Sequence, residues 1–453
     1  MTTPAQQMGV PAPELALGQS TLAVATWAAR AYSRYDLESV RRITAGVADA
    51  GARLAERFAA EFVADTGYGV VPHQAQEIVA LCQDFTHRLE AQDYVSPRLS
   101  PFGWSVPRPA GVVLALPGAT TAVPDILRMV LQCLLTRNAV VVCPNPRAQA
   151  VSSTVAAALA AATTQAGAPE WTVAWLDEPS PDLVELVTGD PRVSVVLRGD
   201  TTTRGVPVVV DSTVDLQQAA YKIVESAAFN NSLSNNAERM LIATDDIADE
   251  LLGQLGRAGA QLLSAEEAFC LRRALFPAGK LDPDYVGQSA EWIAKRAGLV
   301  IGATTTVLLV PVQLVVPEEP LTNQNRLPVL GFVTTSNIRQ AISLARAVLS
   351  TERPGTDLCA ALHSNDPTTI LEFSTSVQAR RLVINHGCSQ QGVLAINPNL
   401  VRVTDVSWRG TSPSPLPDAR FIGAPRSAST LIPTYPFASN DPRFRQVVDR
   451  SRT

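Results

Sequence analysis

Four short apolar runs rich in β-branched residues, 111–116, 139–143, 173–176 and 193–197, alternate with helical stretches at 124–136, 147–166 and 181–188. Strands that lack a polar face need cover on both sides, and intervening helices supply it. This order therefore predicts a parallel, doubly wound α/β sheet. A second alternating series follows Ser226, with strands near 239–243, 305–310, 328–334, 358–362 and 381–384 and helices near 245–258, 264–274, 336–349 and 366–376. Ahead of both, Asp36 is placed to cap a helix in which Val40, Ile43, Val47, Ala50, Leu54, Phe58 and Phe62 recur every three or four residues until Gly67. Another such helix runs from Gln74 to about Leu89. The expected organisation is a tail over 1–35 containing a helix at 13–29, a first α/β domain over 36–225, a second over 226–400, and a C-terminal segment over 401–453 whose part from Pro413 to Pro436 is a proline-rich arm.

The 453 residues suffice for two large domains, and 46% apolar against 17% charged residues is the composition of a chain that folds around a core. Lys and Arg total 37 against 42 Asp and Glu, a net charge of −5, which leaves no basic excess for nucleic acid or for an anionic membrane. The N-terminus has no basic region of the kind that opens a signal peptide, and the longest uncharged stretch is too rich in Ser, Thr and Gln to span a bilayer. Lysine occurs only at Lys222, Lys280 and Lys295, so there are few candidates for Schiff-base or general-base lysine chemistry. The 6 cysteines lie far apart with no CxxC pair, and Cys82, Cys133 and Cys143 sit among apolar neighbours; reduced, buried thiols and a cytoplasmic location are expected. His73 and His87 read as surface or interface residues, His363 falls at a strand end, and no histidine has a metal-ligand partner at a suitable spacing, so no metal site is expected.

Ligands of doubly wound sheets bind beyond the carboxyl ends of the strands, where Cys143-Pro144-Asn145-Pro146-Arg147 emerges. Two readings of Arg147 stand: a phosphate-binding charge beside the N–H groups of the following helix, or a solvated residue at the turn. Asn231, Asn235, Asn236 and Glu238 form a polar cluster entering a strand, which reads either as loop capping or as a hydrogen-bonding pocket.

Several strings, in this order, resemble the aldehyde dehydrogenase superfamily and specifically its CoA-acylating branch: Thr66-Gly67-Tyr68-Gly69, the run from Asn138 to Ala148, Phe229-Asn230-Asn231, Leu327-Pro328-Val329-Leu330, His363-Ser364-Asn365-Asp366 and Ser407-Trp408. The resemblance covers about residues 36 to 425. It implies two doubly wound α/β domains plus a small oligomerisation flap near 94–108, a dinucleotide in the first domain, a nucleophilic cysteine in the second, and a cleft between them shared by NAD(P) and CoA. Pro144, Asn145 and Arg147 fall on the cofactor side. The nucleophile falls four residues beyond Asn231, where this chain has Asn235, and a carboxamide cannot form a thiohemiacetal or thioester. In Pro117-Gly118-Ala119-Thr120-Thr121, Thr120 or a neighbour stands where the resemblance puts the amide donor that holds the oxyanion, and Gln324 replaces a carboxylate. Only Thr201 to Gly205 remain where the family has a helix, a strand and a glycine-rich turn beside the nicotinamide.

The resemblance with these departures implies a redox-silent relative, a ligand-binding or partner-subunit scaffold or a repurposed non-redox factor for acyl thioesters or aldehydes. Its partners would be such a small molecule or a homologous subunit, with no cofactor certain. The alternative is an oxidoreductase or acyl-transfer enzyme using a displaced nucleophile, Cys388 in the string His386-Gly387-Cys388-Ser389-Gln390. Phe102 and Trp104, alternating with polar neighbours, fit a flap strand that pairs in a homo-oligomer.

Overall fold

The computed structural model describes residues 11–91, 93–100, 103–199, 206–234, 236–313, 319–322, 326–350, 359–379, 381–389, 407–408 and 434–437. The chain divides into two compact units, one of residues 1–65, 75–199 and 406–453, the other of 66–74 and 200–405.

In the first unit, β1 (Arg98–Ser100) and β2 (Gly103–Pro107) form a hairpin, followed by β3 (Val112–Leu116), β4 (Ala139–Val142), β5 (Val173–Trp175) and β6 (Val193–Arg198). Strands β3 to β6 are parallel, and a late two-residue strand, Ser407–Trp408, pairs antiparallel with β6 on the outer edge. The central strands β3 and β4 are apolar because helices cover both faces. The helices Ala12–Tyr32 and Pro181–Thr188 supply Leu22, Ala25, Ala28 and Leu183 to a core shared with Val112, Leu114 and Val141. The N-terminal helix is thus part of this domain and not a tail: small residues along one stripe let it lie close on the sheet. The helix begun at Asp36, whose carboxylate accepts the Ser39 N–H at 2.8 Å, is two helices, Leu37–Arg53 and Ala55–Thr66, broken at Leu54. A separate antiparallel sheet joins β1 and β2 to the strand Thr434–Phe437.

The second unit holds a seven-stranded, wholly parallel sheet built from β7 (Val206–Val210), β8 (Glu238–Thr244), β9 (Ala260–Leu262), β10 (Val307–Pro311), β11 (Val329–Thr335), β12 (Cys359–His363) and β13 (Arg381–Ile384), in the order β13-β12-β7-β8-β11-β10-β9. The helices Leu216–Ala228 and Ala248–Ala258 cover one face with Ala220, Ile223 and Leu251. Helices Ile338–Ser350 and Pro367–Ser376 cover the other with Ala341, Ala345 and Phe373. Because β7 and the helix after it build this sheet, the boundary between domains falls at 199/200 and not at 225/226. The apolar run of β7 has the same character as the strands before it, so the place where the chain changes sheets leaves no mark in composition. The β7–β8 register shifts, Val206 facing Glu238 and Pro207 facing Met240, so that Arg239 is the extra residue of a bulge.

Candidate functional site

The loop between the helix Leu216–Ala228 and β8 carries the most unusual backbone of the second unit. Asn230, Asn231 and Ser232 have φ of 53°, 51° and 63°, three successive left-handed residues. Asparagine tolerates this conformation better than most residues, and here its amides also repay it. Asn230 donates its N–H to Nδ1 of His73 and accepts the Val70 N–H on Oδ1, each at 2.9 Å. Asn231 donates Nδ2 to the Gly287 carbonyl at 2.9 Å, which also receives the Gly69 N–H at 3.1 Å. Gly69, at φ 78°, has no room for a Cβ, which would strike Asn230 Oδ1. The Thr-Gly-Tyr-Gly string is therefore the wall that holds this loop. His73 is not an ordinary surface residue: its ring stacks on Phe229 at 4.6 Å, Nδ1 is an acceptor, and burial lowers its pKa, which favours the neutral imidazole. His87 is exposed.

Arg239, 1% exposed, anchors the far end of the loop. Its guanidinium donates to the Ser232 carbonyl at 2.9 Å, to the Glu238 carbonyl at 3.0 Å and to the Ser232 hydroxyl at 3.1 Å. Beside it, Glu238 Oε1 accepts the Cys388 N–H at 2.6 Å, and Ser226 Oγ accepts the Ser389 N–H at 2.8 Å. A Cβ at Gly387 would collide with Ser226, so the glycine is what lets this segment lie against the helix. Burial pushes the Glu238 carboxyl up to about 7, although hydrogen bonds from Cys388 and Ser226 favour its ionised form. Glu238 Oε2 and Ser389 Oγ are buried with no hydrogen-bond partner.

Of the residues singled out in sequence, Asn235 and Gln324 lie outside the described residues, as do Thr201 to Gly205. Cys388 is fully buried, 0% exposed. The string His363-Ser364-Asn365-Asp366 is a strand-end brace: Ser364 Oγ donates to Asp211 at 2.5 Å, and Asn365 donates its N–H to the Thr213 hydroxyl at 2.7 Å and Nδ2 to the Thr213 carbonyl at 3.0 Å. His363 itself is buried, and desolvation, with Lys222 and His386 adding to it, pushes its pKa down to about 4.

In the first unit, Thr120 and the segment 144–147 lie beyond the carboxyl ends of the adjacent strands β3 and β4. The turn after β3 is organised by Asp125, whose Oδ2 accepts the Gly118 N–H at 3.0 Å and the Thr121 hydroxyl at 2.7 Å; Thr120 is buried between these contacts in sequence. Nearby, burial pushes Glu77 up to about 7, with Arg128 opposing and Asp125 reinforcing the shift. After β4, Pro144 is buried and Asn145 Oδ1 accepts the Arg147 N–H at 3.0 Å, capping the short turn Pro146–Ala148, while the Arg147 side chain is exposed. Cap and exposed guanidinium occur together, so neither reading of Arg147 displaces the other. Among the described residues no three His, Cys, Asp or Glu side chains are grouped as metal ligands, and no helix is long and apolar enough to cross a membrane.

No protein-family model matches the chain. Among curated proteins it is 25% identical over 393 residues to the bifunctional aldehyde-alcohol dehydrogenase AdhE of Escherichia coli K12, a match covering 81% of this chain and 43% of that protein. It is 28% identical over 305 residues to the acetylating acetaldehyde dehydrogenase EutE of the same organism, covering 62% and 64%. The chain thus matches less than half the length of the bifunctional relative. Among solved structures, an acetylating aldehyde dehydrogenase from Geobacillus thermoglucosidasius superimposes with a TM-score of 0.85 at 20% identity over 95% of this chain and 98% of that one. A propionaldehyde dehydrogenase from Rhodopseudomonas palustris with bound propionyl-CoA gives 0.76 at 21% identity over 92% and 93%.

Proposed function

From a chain that has the aldehyde dehydrogenase fold and resembles the CoA-acylating branch in sequence, we propose a protein that binds an acyl thioester or aldehyde without thiolate-based dehydrogenation, as a scaffold for a homologous subunit or a non-redox factor. One observation carries this reading: no thiol stands where the resemblance puts the attacking group. That position is Asn235, and its amide has no nucleophilic sulfur. The remaining thiols support the same conclusion. Cys82, Cys133, Cys143, Cys359 and Cys388 are buried, and only Cys270 is partly exposed. Burial pushes Cys82 and Cys143 up to about 12, far from the thiolate that nucleophilic catalysis needs. The loop that would present the reacting group keeps its supports, His73, Gly69 and Gly287, which is what a site retained for binding requires.

The test pairs turnover with binding. Acetaldehyde or propionaldehyde with NAD and CoA should give no NADH, while calorimetry with propionyl-CoA should register binding. Brief alkylation by iodoacetamide, read by peptide mass spectrometry, should mark Cys270 alone. Saturable turnover lost in Cys388→Ala, with Cys388 alkylated in the native protein, would replace this proposal with the displaced-nucleophile enzyme. Absence of both turnover and propionyl-CoA binding would remove the ligand-binding part of it.

A further inference from the structure

The first unit contains a cavity of about 760 Å³ at the end of its sheet opposite to the loops just described. Gly111 and Val112 open β3, Arg137 precedes β4, and Arg192 and Ser194 stand at the start of β6; all line the cavity and all lie at the amino ends of their strands. Thr120 and Arg147 lie past the carboxyl ends. The volume is in the range of small-molecule sites, about 300–1,000 Å³.

Its lining is strongly one-sided in charge. Five arginines, Arg30, Arg34, Arg108, Arg137 and Arg192, line it with one carboxylate, Asp36, while outside the lining Asp190 pairs with Arg192 and Asp93 acts on Arg137. Asp36 is already engaged: it accepts the Ser39 N–H, and this bond holds its pKa below the usual value. Two of the arginines build the wall. Arg137 donates to the Ser33 carbonyl at 3.0 Å and the Pro107 carbonyl at 3.1 Å, and Arg192 pairs with Asp190 at 2.7 Å. Arg137 still has a buried Nε without a hydrogen-bond partner. Arg30 and Arg34, one helical turn apart in sequence, are exposed and make no ion pair among the described residues. The rest of the surface includes Ala29, Leu37, Val95, Val106 and Pro109, which offer apolar contact.

We propose that this cavity is a binding site for a small organic oxyanion, a phosphate or carboxylate group carried on an apolar body, gripped at its mouth by Arg30 and Arg34. Guanidinium groups match such oxyanions bidentately, and the apolar lining takes the remainder of the molecule. The site is separate from the acyl-ligand function proposed above and does not depend on it.

Calorimetry with phenyl phosphate, benzoate and inorganic phosphate as probes tests the assignment. Phenyl phosphate or benzoate should bind more tightly than about 1 mM, with inorganic phosphate weaker, and binding should weaken as salt rises. Tighter binding of phenyl phosphate than benzoate identifies a phosphoryl ligand, and the reverse order a carboxylate. The double variant Arg30→Glu, Arg34→Glu should lose about tenfold or more in affinity, while Arg30→Lys, Arg34→Lys retains part of it. Both arginines are exposed, and unchanged circular dichroism will show that the fold is intact. No measurable binding of either organic probe, or equal binding by the charge-reversed variant, overturns the proposal.

Discussion

Glu238 shows how one residue can serve a fold while opposing its stability. Its Oε1 holds the Cys388 N–H, yet its other oxygen is buried and unpaired, and burial raises the carboxyl from 4.5 to about 7. Between those two values the folded chain keeps a proton that the unfolded chain has released, so stability falls as pH rises from about 4.5 to about 7 and then levels off. Glu77, raised to about 7 as well, acts in the same direction. Glu238→Gln keeps an oxygen acceptor for Cys388 and removes the titration. The pH dependence of the urea midpoint should therefore flatten in part, by an amount on the order of 3 kcal/mol at most across the window. A variant with the wild-type slope would show that Glu238 does not titrate there. The identity of this residue was visible in sequence as part of a polar cluster, but its burial depends on Ser226 and on residue 388, 150 positions away.

At the scale of an element, the turn Phe229–Ser232 is a strained segment held by distant partners. Residues with positive φ cost about 1–2 kcal/mol when they carry an ordinary Cβ. Asn231 reduces that cost by its own chemistry and adds the bond to Gly287. Asn231→Ala should lose both, about 2 kcal/mol, whereas Asn231→Gly should lose only the hydrogen bond, about 1 kcal/mol. Chemical denaturation of the two variants separates strain from hydrogen bonding, and equal losses would mean that the backbone conformation contributes nothing. The apolar run near 239–243 predicted the strand that follows this turn, whereas the helix Leu216–Ala228 before it was not read from the sequence. The turn between them has no period, and its geometry is set by residues 66–74 and 287, which no local pattern connects to it.

For the whole molecule, the antiparallel sheet of β1, β2 and Thr434–Phe437 has three strands among the described residues, with β1 and Thr434–Phe437 on its outer edges. Isolated sheets of this size are marginal, and open edges invite pairing with another copy. Phe102 lies outside the described residues, and only the backbone of Trp104 is described. Light scattering should give a mass above that of one chain, and Phe102→Asp with Trp104→Asp should reduce it to the monomer. A monomeric wild type would end this expectation. The sequence alone determined that there are two doubly wound sheets with helices on both faces, since apolar strands such as Val140-Val141-Val142 alternate with helices that can cover them. It also determined that Asn, not Cys, occupies position 235. Tertiary structure alone decided that β6 and β7 belong to different units, that Cys388 is enclosed, and that His73, Gly69 and Gly287 converge on Asn230 and Asn231. Apolar periodicity is written into neighbouring residues, whereas these contacts join positions as much as 160 residues apart and exist only once both segments are folded.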